Sequence, residues 1–286
     1  MARKTTFKLR QMKTKGKKIV MLTAYDAPTA KILSDCGVDI ILVGDSVGNS
    51  LLGYESTIPV TLEDIIHHSA AVARARPNSF IVGDMPFMSY KVSEEQALQN
   101  CGRMLQEGGA EAVKLEGSGR VAKIVSAVVD SGIPVMGHIG LTPQSIYELG
   151  GYRVQGRTKE TTEALVAQAL ELQEAGVFSI VVELVPSETA KMITEAIEIP
   201  TIGIGAGPHC DGQVLVLWDM LGLFDDFKPK FLKKYANISD VIRGAVNEYS
   251  EEVRNGVFPD SEHSFEMSEE ETGRLYGRVK PKKDES

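Results

Sequence analysis

The stretch Ala112-Val113-Lys114-Leu115-Glu116-Gly117 decides how the rest of this chain is interpreted. It is a short apolar segment, typical of a buried strand, that carries a lysine and a glutamate two residues apart. Residues i and i+2 of a strand point to the same face, so Lys114 and Glu116 project together while Val113 and Leu115 pack on the other side. Burying an ionised pair is costly without a further partner. The stretch therefore suggests a metal ion or an anionic ligand beside these two side chains.

Strand-like and helix-like segments alternate on both sides of this stretch, at intervals of roughly 25–35 residues. The predicted strands are residues 19–23, 38–43, 79–83, 112–117, 133–137, 177–182, 199–204 and 214–218. Near-continuous apolar strands separated by helices are typical of an α/β protein with a parallel sheet. Eight such strands favour a closed (β/α)8 TIM barrel over an open doubly wound sheet, because open sheets of eight parallel strands are less common.

The chain is predicted to be one barrel domain over residues 1–265, C-terminal helices included, followed by a polar, flexible tail over 266–286. Residues 2–18 are rich in Lys and Arg and predict a solvated lead that covers the bottom of the barrel. Residues 139–158 predict a mobile loop over a site. Residues 238–255 carry an apolar stripe at helical spacing, which indicates either core or a subunit contact.

Composition narrows the class of protein. The 286 residues have a formal net charge of −8, whereas a nucleic-acid partner would normally require a basic face. No apolar run approaches the roughly 18 residues of a membrane span. The three cysteines, Cys36, Cys101 and Cys210, have neither metal nor redox spacing. They indicate reduced thiols, so the cytoplasm is the expected location.

Polar side chains follow five consecutive predicted strands. They are Asp45 and Ser46 at the second strand, Asp84 at the third, Lys114 and Glu116 at the fourth, His138 at the fifth and Glu183 at the sixth. The C-terminal rim of a parallel barrel is where active sites lie. One aspartate is often a helix cap, and one histidine is often a satisfied core residue. Capping does not explain five strands in succession, so these residues predict an active site.

The residue types indicate the chemistry. Carboxylate oxygens from Asp45, Asp84 and Glu116 suit Mg²⁺ better than Zn²⁺. Lys114 would then supply a positive charge for a substrate carboxylate or a developing enolate. Partial burial of Glu183 behind an apolar strand would raise its pKa and make it a candidate general base. The set predicts proton removal next to a carbonyl that is polarised by a metal.

Seven ordered blocks of the sequence resemble the ketopantoate (3-methyl-2-oxobutanoate) hydroxymethyltransferase family, over roughly residues 5–260. The blocks are MLTAYD at 21–26, VGDSVG at 43–48, GDMPF at 83–87, VKLEG at 113–117, GHIGLTPQ at 137–144, VE at 182–183 and GIGAG at 203–207. So many blocks in order are far more specific than any single motif.

The resemblance implies a phosphoenolpyruvate/pyruvate-type barrel that binds one Mg²⁺ per subunit. By resemblance, the metal ligands are Asp45, Asp84 and Glu116, with Asp84 and Glu116 able to act through water. The residues that bind the 2-oxo acid are Asp45, Ser46, Asp84, Lys114 and His138, and the catalytic proton acceptor is Glu183. A purely structural role for His138 stays open at this point.

The reaction implied by the resemblance transfers a hydroxymethyl group from 5,10-methylenetetrahydrofolate to 3-methyl-2-oxobutanoate through a Mg-stabilised enolate. Its product is 2-dehydropantoate, in pantothenate and coenzyme A biosynthesis. The family also implies a homo-oligomer, a decamer, with small-molecule partners and neither nucleic acid nor membrane.

Two other interpretations stay open. A Mg-dependent C–C lyase or phosphonate mutase acting on a 2-oxo acid would use the same barrel. Many lyases carry a reactive cysteine in a loop over the site, and none of the three cysteines falls on such a predicted loop. A non-catalytic barrel acting as a scaffold would show no Mg²⁺ dependence and no loss on changing Glu183.

Overall fold

The computed structural model of the protein describes residues 3–223 and 229–277. In these residues eight strands form a closed barrel, each parallel to its neighbours in chain order, with the last paired to the first. The strands are β1 Ile19–Thr23, β2 Ile40–Val43, β3 Phe80–Asp84, β4 Ala112–Glu116, β5 Val135–Gly140, β6 Ser179–Glu183, β7 Thr201–Ile204 and β8 Gly212–Leu215. The predicted (β/α)8 barrel is confirmed, and the open sheet is excluded.

Helices precede the first strand, connect the later strands and follow the last one. They are α1 Thr6–Thr14, α2 Ala27–Asp35, α3 Val47–Ser50, α4 Leu62–Arg74, α5 Glu94–Gln106, α6 Arg120–Asp130, α7 Ile146–Leu149, α8 Lys159–Glu174, α9 Ser187–Ala196, α10 Leu217–Met220, α11 Ile238–Arg254 and α12 Glu269–Tyr276. Local sequence sets several starts. Thr61 and Asp64 form a reciprocal cap at α4, and Ser93 accepts the Gln96 N–H at α5, which satisfies backbone donors that a helix leaves free.

Alternation along the strands divides the core into two layers. Outward side chains such as Val113 and Leu115 pack with the surrounding helices. Inward side chains such as Met21, Val82 and Met136 fill the barrel interior. The interior below is packed with apolar groups, and the charged residues of the strands lie toward the C-terminal end.

Helix α1 closes the N-terminal end of the barrel. Leu9 and Met12 are buried in the interior cluster, and the Lys13 ammonium lies 3.0 Å from the carboxylate of Asp211, just before β8. The prediction of a solvated lead was wrong for this face, because Leu9 and Met12 are spaced i, i+3 and share one side of a helix. The segment does cover the bottom of the barrel, as predicted.

Strand β8 lies two residues earlier than predicted. It begins at Gly212, which pairs with Ile19 of β1 and Ile202 of β7. A Cβ at residue 212 would lie 2.5 Å from the Ile19 carbonyl oxygen, so the approach of the two strands requires glycine. The apolar run at 214–218 continues into α10, and a short apolar run does not by itself separate strand from helix.

The segment predicted as a long loop is partly ordered. Strand β5 extends to Gly140, a 3-10 helix spans Pro143–Ser145, and α7 follows directly. The prediction failed over these residues because the short helices lack the length that a periodic pattern needs.

The chain divides into two compact units, Met1–Ala236 and Asn237–Ser286. The first contains the barrel. The second contains α11 and α12, and in it Tyr249 and Phe258 make an edge-to-face contact with ring centroids 5.5 Å apart. This boundary differs from the predicted one at 265. Helix α12 lies within the predicted tail, whose residues 278–286 fall outside the described residues.

Two further findings bear on the class of protein. Among the described residues, no helix has both the length and the apolar character needed to span a bilayer. All three cysteines lie in the described part of the chain and are free thiols; Cys36 is exposed, whereas Cys101 and Cys210 are buried.

Candidate active site

Strand register brings the predicted polar residues together at the C-terminal end of the barrel. Asp84 of β3 pairs with Lys114 of β4, and Glu116 pairs with His138 of β5. Glu183, the last residue of β6, pairs with Gly140. All of the predicted side chains line one cavity of about 670 Å³: Asp45, Ser46, Asp84, Lys114, Glu116, His138 and Glu183.

The Lys114 ammonium lies among acidic side chains. Its Nζ is 2.9 Å from Asp84 Oδ1 and 3.6 Å from Glu116 Oε1, and 3.2 Å from His138 Nδ1. The lysine is 4% exposed. Burial alone would lower the pKa of Lys114, but Asp84, Glu116 and Asp45 raise it above its ordinary value. The lysine therefore stays charged at neutral pH.

The loop after β2 contributes Asp45 and Ser46. The Asp45 backbone N–H donates to Asp84 Oδ2 at 3.1 Å, which ties this loop to the end of β3. The Ser46 hydroxyl is 2.9 Å from the hydroxyl of Tyr25, a buried residue that follows β1. This contact with Tyr25 holds Ser46 at the wall of the cavity.

Three buried carboxylates lie near one lysine, and the shifts in their pKa values reflect this excess of negative charge. Burial, together with the charges of Asp84 and Glu116, raises the pKa of Asp45 well above its ordinary value. Burial also raises the pKa of Asp84, against the opposing effect of Lys114. For Glu116, burial is outweighed by Lys114 and His138, and its pKa falls to about 2. The site carries more negative charge than its own cations compensate.

His138 bridges the acidic cluster and Glu183. Its Nδ1 lies 3.2 Å from Glu116 Oε1, and its Nε2 lies 3.1 Å from Glu183 Oε2. Burial and Lys114 lower the pKa of His138, but the two glutamates outweigh them and raise it to about 9. The contact between His138 and Glu183 was not predicted from sequence, since the two residues are 45 positions apart (183 − 138).

The donor set fits a hard divalent cation. Within residues 3–223 and 229–277, no three Asp, Glu, His or Cys side chains are arranged to hold a metal ion directly. Mg²⁺, however, keeps several waters and takes only one or two protein carboxylates. Asp84 Oδ1 and Glu116 Oε1 are buried oxygens without a hydrogen bond of good geometry among the described residues. These oxygens contact Lys114 and His138, but the negative charge of the buried carboxylates exceeds the charge of these two groups, and a hydrated cation would compensate the excess.

Sequence reasoning missed two buried residues that contact the site. The side chain of Gln144 donates to Asp45 Oδ2, and the hydroxyl of Tyr90 accepts the Glu116 N–H. The sequence offered one signal for Gln144, namely its place in the block GHIGLTPQ at 137–144. Tyr90 had no such signal. Tyr152, from the predicted loop, also lines the cavity.

A family model described as ketopantoate hydroxymethyltransferase matches residues 3–261. The chain belongs to the ketopantoate hydroxymethyltransferase family. Two curated relatives are named 3-methyl-2-oxobutanoate hydroxymethyltransferase. The one from Thermoanaerobacter sp. (strain X514) is 57% identical over 93% of this chain and 97% of its own length. The one from Thermotoga maritima is 58% identical over 90% and 95%. The predicted family is confirmed, and so is the prediction that the chain is an enzyme of it; the non-catalytic scaffold is thereby excluded.

Solved structures share the fold of this hydroxymethyltransferase family member at low identity. A phosphonopyruvate hydrolase solved with oxalate and Mg²⁺ is 13% identical, with a TM-score of 0.57 over 96% of this chain and 95% of its own. A 2,3-dimethylmalate lyase of the PEP mutase/isocitrate lyase superfamily is 14% identical, with the same TM-score and coverage. These similarities show that the chain shares its barrel fold with members of this group of structures.

Proposed function

We propose that the protein transfers a hydroxymethyl group from 5,10-methylenetetrahydrofolate to 3-methyl-2-oxobutanoate, forming 2-dehydropantoate for pantothenate and coenzyme A biosynthesis. The curated relatives bear the name of this activity at 53–58% identity. The observation that carries the mechanism is the juxtaposition, in one cavity, of a partly buried glutamate with an acidic cluster that attracts a cation.

Mg²⁺, one per subunit, is the proposed cofactor. Asp45, Asp84 and Glu116 are its proposed ligands, with Asp84 and Glu116 acting through water. When bound, Mg²⁺ would polarise the 2-oxo group and stabilise the negative charge that develops on it. The support is the charge surplus: Asp45 and Asp84 both have raised pKa values, so the folded protein resists holding all three carboxylates ionised.

The 2-oxo acid is proposed to lie against Ser46, Lys114 and His138, beside Asp45 and Asp84. Lys114 and His138 both carry positive charge at neutral pH, by the directions of their pKa shifts. They would pair with the substrate carboxylate and with the charge that forms on the keto oxygen. The Ser46 hydroxyl, held by Tyr25, supplies a neutral donor.

Glu183 is the proposed proton acceptor. Its side chain is 16% exposed, and Oε2 lies 3.1 Å from His138 Nε2, which leaves Oε1 to take the proton from C3 of the substrate. The electron pair of the broken C–H bond forms the new C–C bond to the methylene carbon of the folate. Water then supplies the hydroxyl oxygen as the folate nitrogen leaves. Atoms balance as 2-oxo acid, methylenetetrahydrofolate and water giving 2-dehydropantoate and tetrahydrofolate.

The size of the cavity supports a second substrate. Its volume of about 670 Å³ is within the range of pockets that hold drug-sized ligands, and a five-carbon 2-oxo acid alone would fill only part of it. Apolar side chains such as Val154, Leu184 and Phe231 line the cavity together with the charged residues. The apolar side chains suit a ring system such as that of the folate, and the charged residues suit a small anion.

The assembly is proposed to be a homo-oligomer, a decamer by family resemblance, in the cytoplasm. Helix α11 supports self-association, because its apolar stripe is exposed within its own unit. The stripe consists of Val241, Ile242, Val246, Tyr249 and Val253, which are 46–68% exposed. The free state of the three thiols supports a reducing compartment.

The direct test is product formation from defined components. Incubation with 3-methyl-2-oxobutanoate, 5,10-methylenetetrahydrofolate and Mg²⁺ should yield 2-dehydropantoate by mass spectrometry, and a chelator should abolish it. A matched incubation with 2,3-dimethylmalate or phosphonopyruvate tests the lyase or mutase alternative. Turnover of those compounds without 2-dehydropantoate formation would replace the proposal with that alternative.

A further inference from the structure

Gln144 is a buried polar residue at the active site that the proposed chemistry does not use. It lies in the 3-10 helix that follows β5 and is 3% exposed. Both the nitrogen and the oxygen of its side-chain amide make hydrogen bonds, and its backbone N–H donates to a different residue of the site. A buried amide with so many contacts is either a structural link or a support for the side chains that it touches.

The side-chain amide has one orientation that satisfies it. Its Nε2 donates to Asp45 Oδ2 at 3.1 Å and to the Met85 carbonyl at 2.8 Å. Its Oε1 accepts from the Tyr90 hydroxyl at 2.9 Å. Turning the amide over would place Oε1 against two acceptors and leave the nitrogen facing a hydroxyl. The donor is therefore directed at Asp45.

The backbone of the same residue holds a second carboxylate. The Gln144 N–H donates to Glu116 Oε2 at 3.1 Å. The Tyr90 hydroxyl accepts the Glu116 N–H at 3.1 Å, so Glu116 is held at both its backbone and its side chain. Gln144 contacts one oxygen of each acid, so Asp45 Oδ1 is left to other partners and Glu116 Oε1 faces Lys114 and His138.

We propose that Gln144 is a positioning residue that orients the carboxylates of Asp45 and Glu116 toward the cation and the 2-oxo acid without touching either. The inference rests on the proposed function, since it takes these acids as Mg²⁺ ligands. The negative charges of Asp45 and Glu116 repel one another, as the effect of Glu116 on the pKa of Asp45 indicates. A neutral donor holds them without adding the positive charge that a lysine or arginine would bring, and so without weakening attraction for the cation.

The decisive variant is Gln144→Met, which keeps the side-chain length and removes the donor. Titration calorimetry of Mg²⁺ into the metal-free, full-length protein, with and without 3-methyl-2-oxobutanoate, should show about 10–100-fold weaker binding. In turnover assays the KM for Mg²⁺ should rise and excess Mg²⁺ should restore part of the rate, which a purely structural role would not allow. Tyr90→Phe should shift binding in the same direction by less, because it removes the hydroxyl that orients the Gln144 amide and holds the Glu116 backbone but leaves the Gln144 donor in place.

Ser79→Ala is the matched control. Its hydroxyl makes an equally buried hydrogen bond, 2.7 Å to the Val38 carbonyl, at the start of β3 and away from the site. Wild-type Mg²⁺ affinity in folded Gln144→Met would overturn the inference. If Gln144→Met does not fold, wild-type Mg²⁺ affinity in Tyr90→Phe would overturn it instead. Mg²⁺ binding by the wild type that Gln144→Met weakens, with no 2-dehydropantoate formed by the wild type, would refute the proposed function and leave the inference standing.

Discussion

At the level of single residues, the buried acids at the C-terminal end of the barrel lower the stability of the metal-free protein. Asp45 and Asp84 have raised pKa values because they are buried beside other carboxylates, an effect that Lys114 opposes but does not cancel. An acid whose pKa is raised on folding opposes folding whenever it is ionised. Such groups are concentrated at functional sites, where they lower the stability of the fold but favour ligand binding.

Asp45→Asn should therefore stabilise the metal-free protein at pH 7. The folded pKa of Asp45 lies above its unfolded value of about 4, so the penalty is absent below that pH and grows as pH rises toward the folded pKa. Thermal unfolding from pH 4 to 8 in a chelator should show a difference that widens with pH. Adding Mg²⁺ should raise the wild-type midpoint and leave the variant nearly unchanged. A metal-free variant that melts below wild type at pH 7 would contradict the charge imbalance.

Thiol reactivity tests the packing around single residues. Burial raises the pKa of Cys101 to about 12 and also raises the pKa of Cys210, whereas Cys36 is exposed. Because the thiolate is the reactive form, a disulfide reagent at pH 8 should label Cys36 alone, and all three thiols after denaturation. Labelling of native Cys101 at the rate of Cys36 would show that α5 does not pack as described.

The side chains of the site were predictable where the strand pattern determines them, and not elsewhere. Lys114 and Glu116 share a face because strand positions alternate, and parallel strands bring Asp84 and His138 beside them. Gln144 reaches Met85 across 59 positions of sequence, and no periodicity relates a 3-10 helix to a distant loop. Contacts of this kind depend on how the connections fold over the rim.

At the level of elements, the junction of β5 and β6 places the proposed base. Gly140 has a φ of +91°, and a Cβ there would lie 2.2 Å from the Glu183 carbonyl oxygen. The Leu141 N–H donates to that same oxygen at 2.9 Å. Glycine at 140 therefore lets β5 pass close enough to fix the backbone of Glu183.

Gly140→Ala should destabilise the protein and displace Glu183. Gly132→Ala is the matched control, because Gly132 has a φ of +89° but no atom within 4 Å of its added Cβ. The control should cost about 1 kcal/mol for the left-handed conformation. Gly140→Ala should cost about 1–3 kcal/mol more for the steric overlap, together with a lower kcat. Equal denaturant midpoints for the two variants would show that β5 and β6 are not this close.

Local sequence signals predicted some boundaries of the helices and strands correctly and failed at two elements. Strand β1 begins and ends where the sequence predicted. Helix α1 was missed because its buried face consists of only Leu9 and Met12 among many charged residues. Strand β8 was displaced because pairing with β1, and not hydrophobicity, fixes its start at Gly212. Pairing across the closure of a barrel is a tertiary contact that a local pattern does not contain.

At the level of the whole molecule, the exposed stripe of α11 predicts self-association. Val246→Lys would place a charge on the stripe, where Val246 is 56% exposed in its own unit. Sedimentation velocity should show a smaller assembly for this variant than for wild type. Asn247→Lys, one position along the same helix, puts the same charge beside the stripe and should leave the assembly intact. A wild-type chain that sediments as a monomer would remove the stripe from any subunit contact.

The glutamate at the end of β6 is proposed to remove a proton from the 2-oxo acid beside the acidic cluster. Proton NMR in D₂O, with Mg²⁺ and tetrahydrofolate, measures solvent exchange at C3 of 3-methyl-2-oxobutanoate directly. Wild type should catalyse the exchange, Glu183→Gln should slow it by about 10²-fold or more, and Glu188→Gln, an exposed acid on α9, should exchange as wild type. Exchange at the wild-type rate in folded Glu183→Gln would exclude Glu183 as the proton acceptor.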